Sequence, residues 1–427
     1  MVRRRTLLRA LAVSPLAAVP TATATAHRLG VAWRTAVGDT ELLDSARVDG
    51  ETLLLVRPEG DPATIHAVDD RGDRTWSRRL DAVPDARAIA GAGDGGFLVV
   101  GPGDDEASPV VRFGSDRSPS WRHRIERGHH DDEFRVRPLD DGVALVSNSI
   151  GTHAVSTRVQ HVAADGTVQW VHTRDGLAGL VTGGIDGDLA VGGYAFESEF
   201  HGWLDRLAPD GGTVWSRRWP EYLDAASAGP GGGIAVANLP EDEGGPGWRL
   251  RYLSTDGETQ RAWVHHFDGD APAPTATRRL ADGGALTVAE VDEPGRVFLL
   301  RTGPDGSPDP TTVVPGDGPT VPRAVYPLDD GAVVAGHAQS ATEPGSWVAR
   351  LSPGASRRET TSATPTETAT RTRTATDTEV TPYPPPPTAV TETTTGDSGP
   401  GFGAGTTLLA LAVGWLARRA GDRENGE

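Results

Sequence analysis

A short apolar run opened by a glycine recurs seven times along the middle of this chain. Gly50, Gly96, Gly142, Gly187, Gly233, Gly284 and Gly331 each precede such a run, at intervals of 46, 46, 45, 46, 51 and 47 residues. Runs such as Leu53-Leu54-Leu55-Val56 and Phe97-Leu98-Val99-Val100 have the length of buried strands, and long stretches of helical periodicity are absent between them. Repetition at a fixed spacing means one supersecondary unit copied along the chain, each copy burying its apolar face against the next.

A second marker runs in step. Trp33, Trp76, Trp121, Trp170, Trp215 and Trp263 are spaced 43, 45, 49, 45 and 48 residues apart. Several follow a tight-turn signal, as in Asp165-Gly166-Thr167-Val168-Gln169-Trp170 and Asp210-Gly211-Gly212-Thr213-Val214-Trp215. Asp-Gly between apolar runs predicts a hairpin, because glycine takes positive φ without a Cβ clash. Each unit then reads as four strands; in the third they fall near 134–139, 143–147, 157–163 and 167–173. Four-stranded units of this length predict the blades of an all-β propeller. The tryptophan that opens each last strand offers a large apolar body to pack between neighbouring sheets.

The register also accounts for the ends of the repeat. Trp33 stands in 30–37, before any complete unit, whereas the last unit, with strands near 321–328, 332–336 and 346–351, lacks a tryptophan strand. The N-terminal strand is expected to supply it and close the ring, leaving no open edge. Seven inner hairpins predict seven blades. Six and eight stay open, because the unit holding Gly284 is irregular and has 311–314 where a tryptophan is expected. A solenoid and a β-sandwich are the rival folds, and a sandwich does not explain seven evenly spaced glycines. The units resemble the quinoprotein-like propeller repeats of archaeal surface proteins over about residues 30–353. That resemblance implies architecture and leaves chemistry open, since propellers host many functions.

The two ends read as addresses. Met1-Val2-Arg3-Arg4-Arg5-Thr6-Leu7-Leu8-Arg9, an apolar stretch to Val19 and two Ala-Thr-Ala sites at 22–26 make a secretory signal over residues 1–26. Arg4 and Arg5, followed by two leucines and a basic residue, resemble the twin-arginine pattern, which implies the twin-arginine translocase as a partner; an ordinary signal is the alternative. Residues 27–355 form the propeller. Residues 356–398 are dominated by threonine, with a run of four prolines at 384–387, and lack the apolar content of a core. They predict an extended, disordered stalk of the kind that is often O-glycosylated. No Asn-x-Ser/Thr acceptor occurs, so N-glycosylation at that motif is not expected.

Residues 399–427 carry Pro400-Gly401-Phe402, an apolar segment from 406 to 417 and the basic pair Arg418-Arg419. This resembles the PGF-CTERM sorting signal of archaeal surface proteins. The resemblance implies a transmembrane helix, cutting by an archaeosortase-like enzyme and attachment of the new end to a membrane lipid. This chain differs in its acidic finish from Asp422 to Glu427, and a plain transmembrane anchor is the alternative.

Charge supports the same picture. The formal net charge is −18, with 41 basic and 59 acidic side chains, and every basic one is arginine. Acidic surplus without lysine suits a protein that must stay hydrated in concentrated salt, as in a halophilic archaeon; high genomic GC content has a similar effect. The charge also argues against nucleic acid as a partner. There is no cysteine, which excludes disulfides, thiolate metal sites and cysteine nucleophiles.

Candidate chemistry is sparse. Gly128-His129-His130-Asp131-Asp132-Glu133 places imidazoles beside carboxylates in an expected inter-blade loop, so His129, His130, Asp131 and Asp132 are the candidate ligands for Ca2+ or another divalent cation. The competing reading is a solvated acidic turn. His265-His266-Phe267-Asp268-Gly269-Asp270 reads as a second such loop, though adjacent histidines on a strand face opposite sides and cannot share an ion. Acidic groups at 104–106, 197–199, 241–243 and 292–293 lack an EF-hand-like spacing and read as salt-adapted surface. No nucleophile elbow, zincin helix, phosphate loop or dinucleotide fingerprint appears, so catalytic and cofactor residues are expected to be none. The expected function is a non-catalytic, surface-tethered propeller that binds or scaffolds an unidentified extracellular partner. The alternative is a quinone- or calcium-dependent dehydrogenase, although the cysteine pair that such enzymes often carry is missing.

Overall fold

A computed structural model describes residues 29–355, apart from 39, 59, 104–106, 127–133, 140, 151–154, 184–187, 197–199, 230–231, 239–245, 268–270, 292–295, 314–319, 340–343 and 354. The export signal, the stalk and the sorting tail lie outside the described residues, as do His129, His130, Asp131 and Asp132.

The chain forms seven four-stranded antiparallel sheets and, among the described residues, no helix. Blade 1 spans 41–79, blade 2 spans 88–126, blade 3 spans 134–175, blade 4 spans 177–219, blade 5 spans 223–266 and blade 6 spans 273–313. Blade 7 takes three strands from 320–353 and its fourth from Leu29–Gly38. The first strand of each blade contacts the first strand of both neighbours, including blade 1 against blade 7, so seven inner strands ring one axis. The expected seven-bladed propeller is therefore observed.

Closure runs through the strand carrying Trp33. Leu29–Gly38 pairs antiparallel with Pro344–Pro353, Thr35 opposite Val348 and Ala36 opposite Trp347. Pairing the first strand with the last removes the exposed edges that an open ring would present.

Each marker glycine among the described residues, which is all but Gly187, sits at the turn before, or the start of, the second strand of its blade. Those strands are largely apolar because both faces are covered. In blade 1, Leu53 and Leu55 pack into the interface with blade 2, while Leu54 and Val56 pack into the interface with blade 7. Seven separate apolar clusters fill the seven interfaces in this way.

The tryptophans do more than fill space. The last two strands of a blade are joined by a tight turn, and in several blades the tryptophan of the preceding blade lies over it, while in blade 3 His123 of blade 2 lies against Gly166 instead. The indole of Trp33 donates to Asp70 O (2.9 Å), Trp170 to Pro209 O (2.7 Å) and Trp215 to Thr255 O (2.9 Å). A Cβ on Gly211, whose φ is +84°, would sit 2.6 Å from the Trp170 ring, so the close approach and the backbone both require glycine. Where blade 2 has Arg117 at the turn, its guanidinium lies 4.8 Å over Trp76. Blade 6 has no tryptophan in Pro308–Val313, for a topological reason. Its neighbour, blade 7, joins strands from opposite ends of the chain and has no turn there to cover.

A further repeated tie was not anticipated. An aspartate in the turn between the first two strands pairs with an arginine on the third: Asp94 with Arg112 (2.5 Å), Asp188 with Arg206, Asp282 with Arg301 (3.0 Å) and Asp330 with Arg350 (2.8 Å).

Candidate functional site

The second histidine pair is corrected by the structure. His265 and His266 close the strand Thr259–His266 rather than lying in a loop. His265 stands opposite Trp248 and packs edge-on against Phe267 at 4.8 Å, while His266 is exposed. Burial, and then the neighbouring His266, lowers the pKa of His265, so it serves as a neutral ring in an aromatic cluster. Among the described residues, no three His, Asp or Glu side chains are placed to hold a metal ion. The acidic groups at 104–106, 197–199, 241–243 and 292–293 lie outside the described residues.

Buried charge away from the axis ties blades together. Glu221, in the turn between blades 4 and 5, accepts two hydrogen bonds of 2.7 Å from Arg251 and another from Arg249. Asp205 of blade 4 pairs with Arg174 of blade 3 at 2.7 Å. Asn148 of blade 3 bonds both the carbonyl and the amide of Ala178 in blade 4, at 2.9 Å each. These groups find partners, as buried polar groups must, and they read as structural.

The axis is different. Inner strands of four blades bring Asp44 and Ser45 (blade 1), Arg135 and Arg137 (blade 3), Arg278 (blade 6) and Tyr326 (blade 7) into one cluster. Arg137, Arg278 and Tyr326 share a level, because they pair with Ala144, Leu286 and Val333, each two residues beyond its marker glycine. The Arg278 guanidinium lies 6.0 Å from the centre of the Tyr326 ring. The Tyr326 hydroxyl bonds Ser45 Oγ at 2.9 Å. Asp44 accepts from its neighbour Ser45 N (2.8 Å) and from Ile89 N of blade 2 (2.9 Å).

Electrostatics couple these groups across the ring. Burial raises the pKa of Asp44, opposed by its amide hydrogen bonds and by the charges of Arg135 and Arg278. Burial pushes Tyr326 up to about 12, so its phenol is neutral at ordinary pH. Arg137 is lowered by burial and by the like charge of Arg278, three blades away around the ring. Like charges this close disfavour one another, and an anion between them relieves the repulsion. Such a set can bind and orient a polar ligand.

None of these six residues was singled out in the sequence, because they lie as far apart as 44 and 326. A signal was present nonetheless. Placed in the repeat register, Arg47, Arg137, Arg278 and Tyr326 form a column of large polar side chains on the first strands of their blades.

No family model matches the sequence, and comparison with curated proteins finds no match. Solved structures do match in fold. A virginiamycin B lyase from Staphylococcus aureus is 10% identical, covering 75% of this chain and 98% of its own, with a TM-score of 0.50. The β-propeller domain of the Trilobed protease from Pyrococcus furiosus is 12% identical, with coverage of 74% and 97% and a TM-score of 0.49. The Neurospora crassa Pan2 WD40 domain is 9% identical, with coverage of 78% and 98% and a TM-score of 0.48. At these identities the likeness is one of fold alone. The chain is a β-propeller.

Proposed function

We propose that this protein is an exported propeller, tethered at the cell surface of a salt-adapted archaeon, that binds its ligand at the ring axis. The observation that carries the binding assignment is the convergence of Asp44, Arg135, Arg137, Arg278 and Tyr326 from four blades. Elsewhere the buried charges described above are paired within the protein. The sequence supports the location: a twin-arginine-like signal with Arg4 and Arg5, a threonine-rich stalk, and a tail with Pro400, Gly401 and Phe402 before an apolar segment. In this reading the twin-arginine translocase exports the folded ring. An archaeosortase-like enzyme then exchanges the tail for a lipid anchor.

Protease shaving of intact cells in native salt tests the display. Cutting in the stalk should release a fragment spanning 29–355 into the medium while a cytoplasmic marker stays protected. Release only after lysis would overturn surface display. Oxidation of an alcohol or sugar by the purified protein, loaded with Ca2+ and a quinone and coupled to a dye, would overturn the non-catalytic assignment.

A further inference from the structure

Several arginines near the blade turns have a carboxylate partner, as with Arg47–Asp70, Arg112–Asp94, Arg301–Asp282 and Arg350–Asp330. The three at the axis do not. Arg135 donates to its own Phe134 O (2.9 Å) and Arg278 to its own Thr277 O (3.0 Å). Among the described residues, neither these two nor Arg137 forms an ion pair. Asp44 is the carboxyl of the cluster, and amides of Ser45 and Ile89 occupy both its oxygens. Three cations against at most one anion therefore meet at the centre of a protein whose net charge is −18. Gathering like charges is unfavourable, and a structural role is better served by the paired arrangement that the same fold uses repeatedly.

Side chains at this level are uneven in size. Blades 3, 6 and 7 carry Arg137, Arg278 and Tyr326, and blade 1 carries Arg47, which is paired with Asp70, whereas blades 2, 4 and 5 carry Ala90, Gly183 and Ala226 at the same register. Arg137, flanked by blades 2 and 4 with almost no side chain at this level, faces Arg278 and Tyr326 across the ring. Guanidinium forks match the two oxygens of a carboxylate or phosphate, and such charge-assisted bonds are the strongest that side chains make.

We propose that the ring axis is a binding site for a small multivalent oxyanion, held by the guanidinium groups of Arg137 and Arg278, with Arg135 adding charge and the Tyr326 ring forming a wall. This deepens the binding function assigned to the axis and rests on that reading, but it does not depend on where the protein is displayed.

Isothermal titration of the purified full-length protein tests the site, at the potassium chloride concentration that keeps it folded. Citrate and inorganic phosphate are titrated separately. The wild-type protein should bind at least one of them with one site per chain. Citrate alone would mark a carboxylate site, and phosphate alone a phosphate site. The variant carrying Arg137→Gln and Arg278→Gln should lose affinity by about tenfold or more, since each removes a charge-assisted hydrogen bond. Arg79→Gln, on the exposed rim with Asp61 and Asp81, should bind as wild type. Should the double variant fail to fold, Arg135→Gln serves in its place, with a smaller loss and a shallower dependence on salt. Absence of binding to both anions in the wild-type protein, or equal affinity in the axis variants, would overturn the proposal. Either result would leave the shaving experiment unaffected.

Discussion

Replacing Trp33 by alanine removes the side chain that fastens the first strand of the chain into the last blade. Trp33 is 7% exposed and packs into the cluster that joins blades 7 and 1. Its indole also bonds Asp70 O and covers Gly72 in the turn of blade 1. Truncating a buried aromatic side chain to alanine costs about 3–5 kcal/mol. The lost hydrogen bond contributes about 1 kcal/mol within such a figure. A useful comparison is Trp263, which is 39% exposed and covers Gly306 between blades 5 and 6, well inside the continuous chain. With much of its ring already in water, Trp263→Ala should cost about 1–2 kcal/mol. Guanidinium denaturation of both variants at constant potassium chloride measures the difference. Trp33→Ala should unfold at clearly lower denaturant and show faster proteolysis at its N-terminus, because the strand it anchors forms an edge of the closing sheet. Equal midpoints for the two variants, or a loss below about 1 kcal/mol for Trp33→Ala, would refute the argument that this side chain locks the ring.

Other consequences follow from the same contacts. Gly211→Ala should cost roughly 2 kcal/mol or more, combining a left-handed backbone with the Trp170 contact, whereas Gly60→Ala should cost about 1 kcal/mol, since nothing lies within 4 Å of its Cβ position; thermal melting separates them. Glu221→Gln leaves Arg249 and Arg251 without their carboxylate and should cost about 3–5 kcal/mol by denaturant titration. His66, which bonds Ser77 Oγ at 2.7 Å, is lowered by burial and by Arg74 from 6.5 to about 4. The unfolded chain therefore takes up this proton first as pH falls, so the contribution is intact above about 6.5 and lost down towards about 4; His66→Gln should flatten that part of a pH–stability curve. In the tail, Phe402→Ala should block processing while the apolar segment still holds the protein in the membrane; a wild-type membrane form that retains the peptide ending at Glu427 would reject lipid attachment.

The ring was legible because its signal is local and repeated. A strand buried on both faces must be largely apolar, and the turn before it favours glycine, so seven strands left seven copies of one pattern. Closure was legible because Trp33 appears before any unit that could own it. The missing tryptophan at 311–314 could not be explained from sequence. Its cause is that blade 7 has no turn for that residue to cover, which depends on knowing that its third and fourth strands come from opposite ends. The axis cluster escaped for a related reason. Asp44 and Tyr326 are neighbours only because the ring closes, and no short motif joins residues 282 positions apart. The histidine pair at 265–266 was misplaced because its flanking aspartates suggested a turn, while alternation along the strand and packing of His265 on Phe267 extend the sheet.

Closure also underlies the functional reading, since only a closed ring brings blades 1, 3, 6 and 7 to one axis. The absence of native cysteine allows a clean test of it. Thr35 and Val348 stand opposite each other in the closing pair of strands, at a separation compatible with a disulfide. The variant Thr35→Cys with Val348→Cys, oxidised in native salt, should form an intramolecular bond within the monomer. It should then run faster than its reduced form on a denaturing gel, because a loop spanning residues 35–348 compacts the unfolded chain. Thiols that stay reduced, or a bond that forms only between two chains, would contradict closure by the N-terminal strand and with it the shared axis.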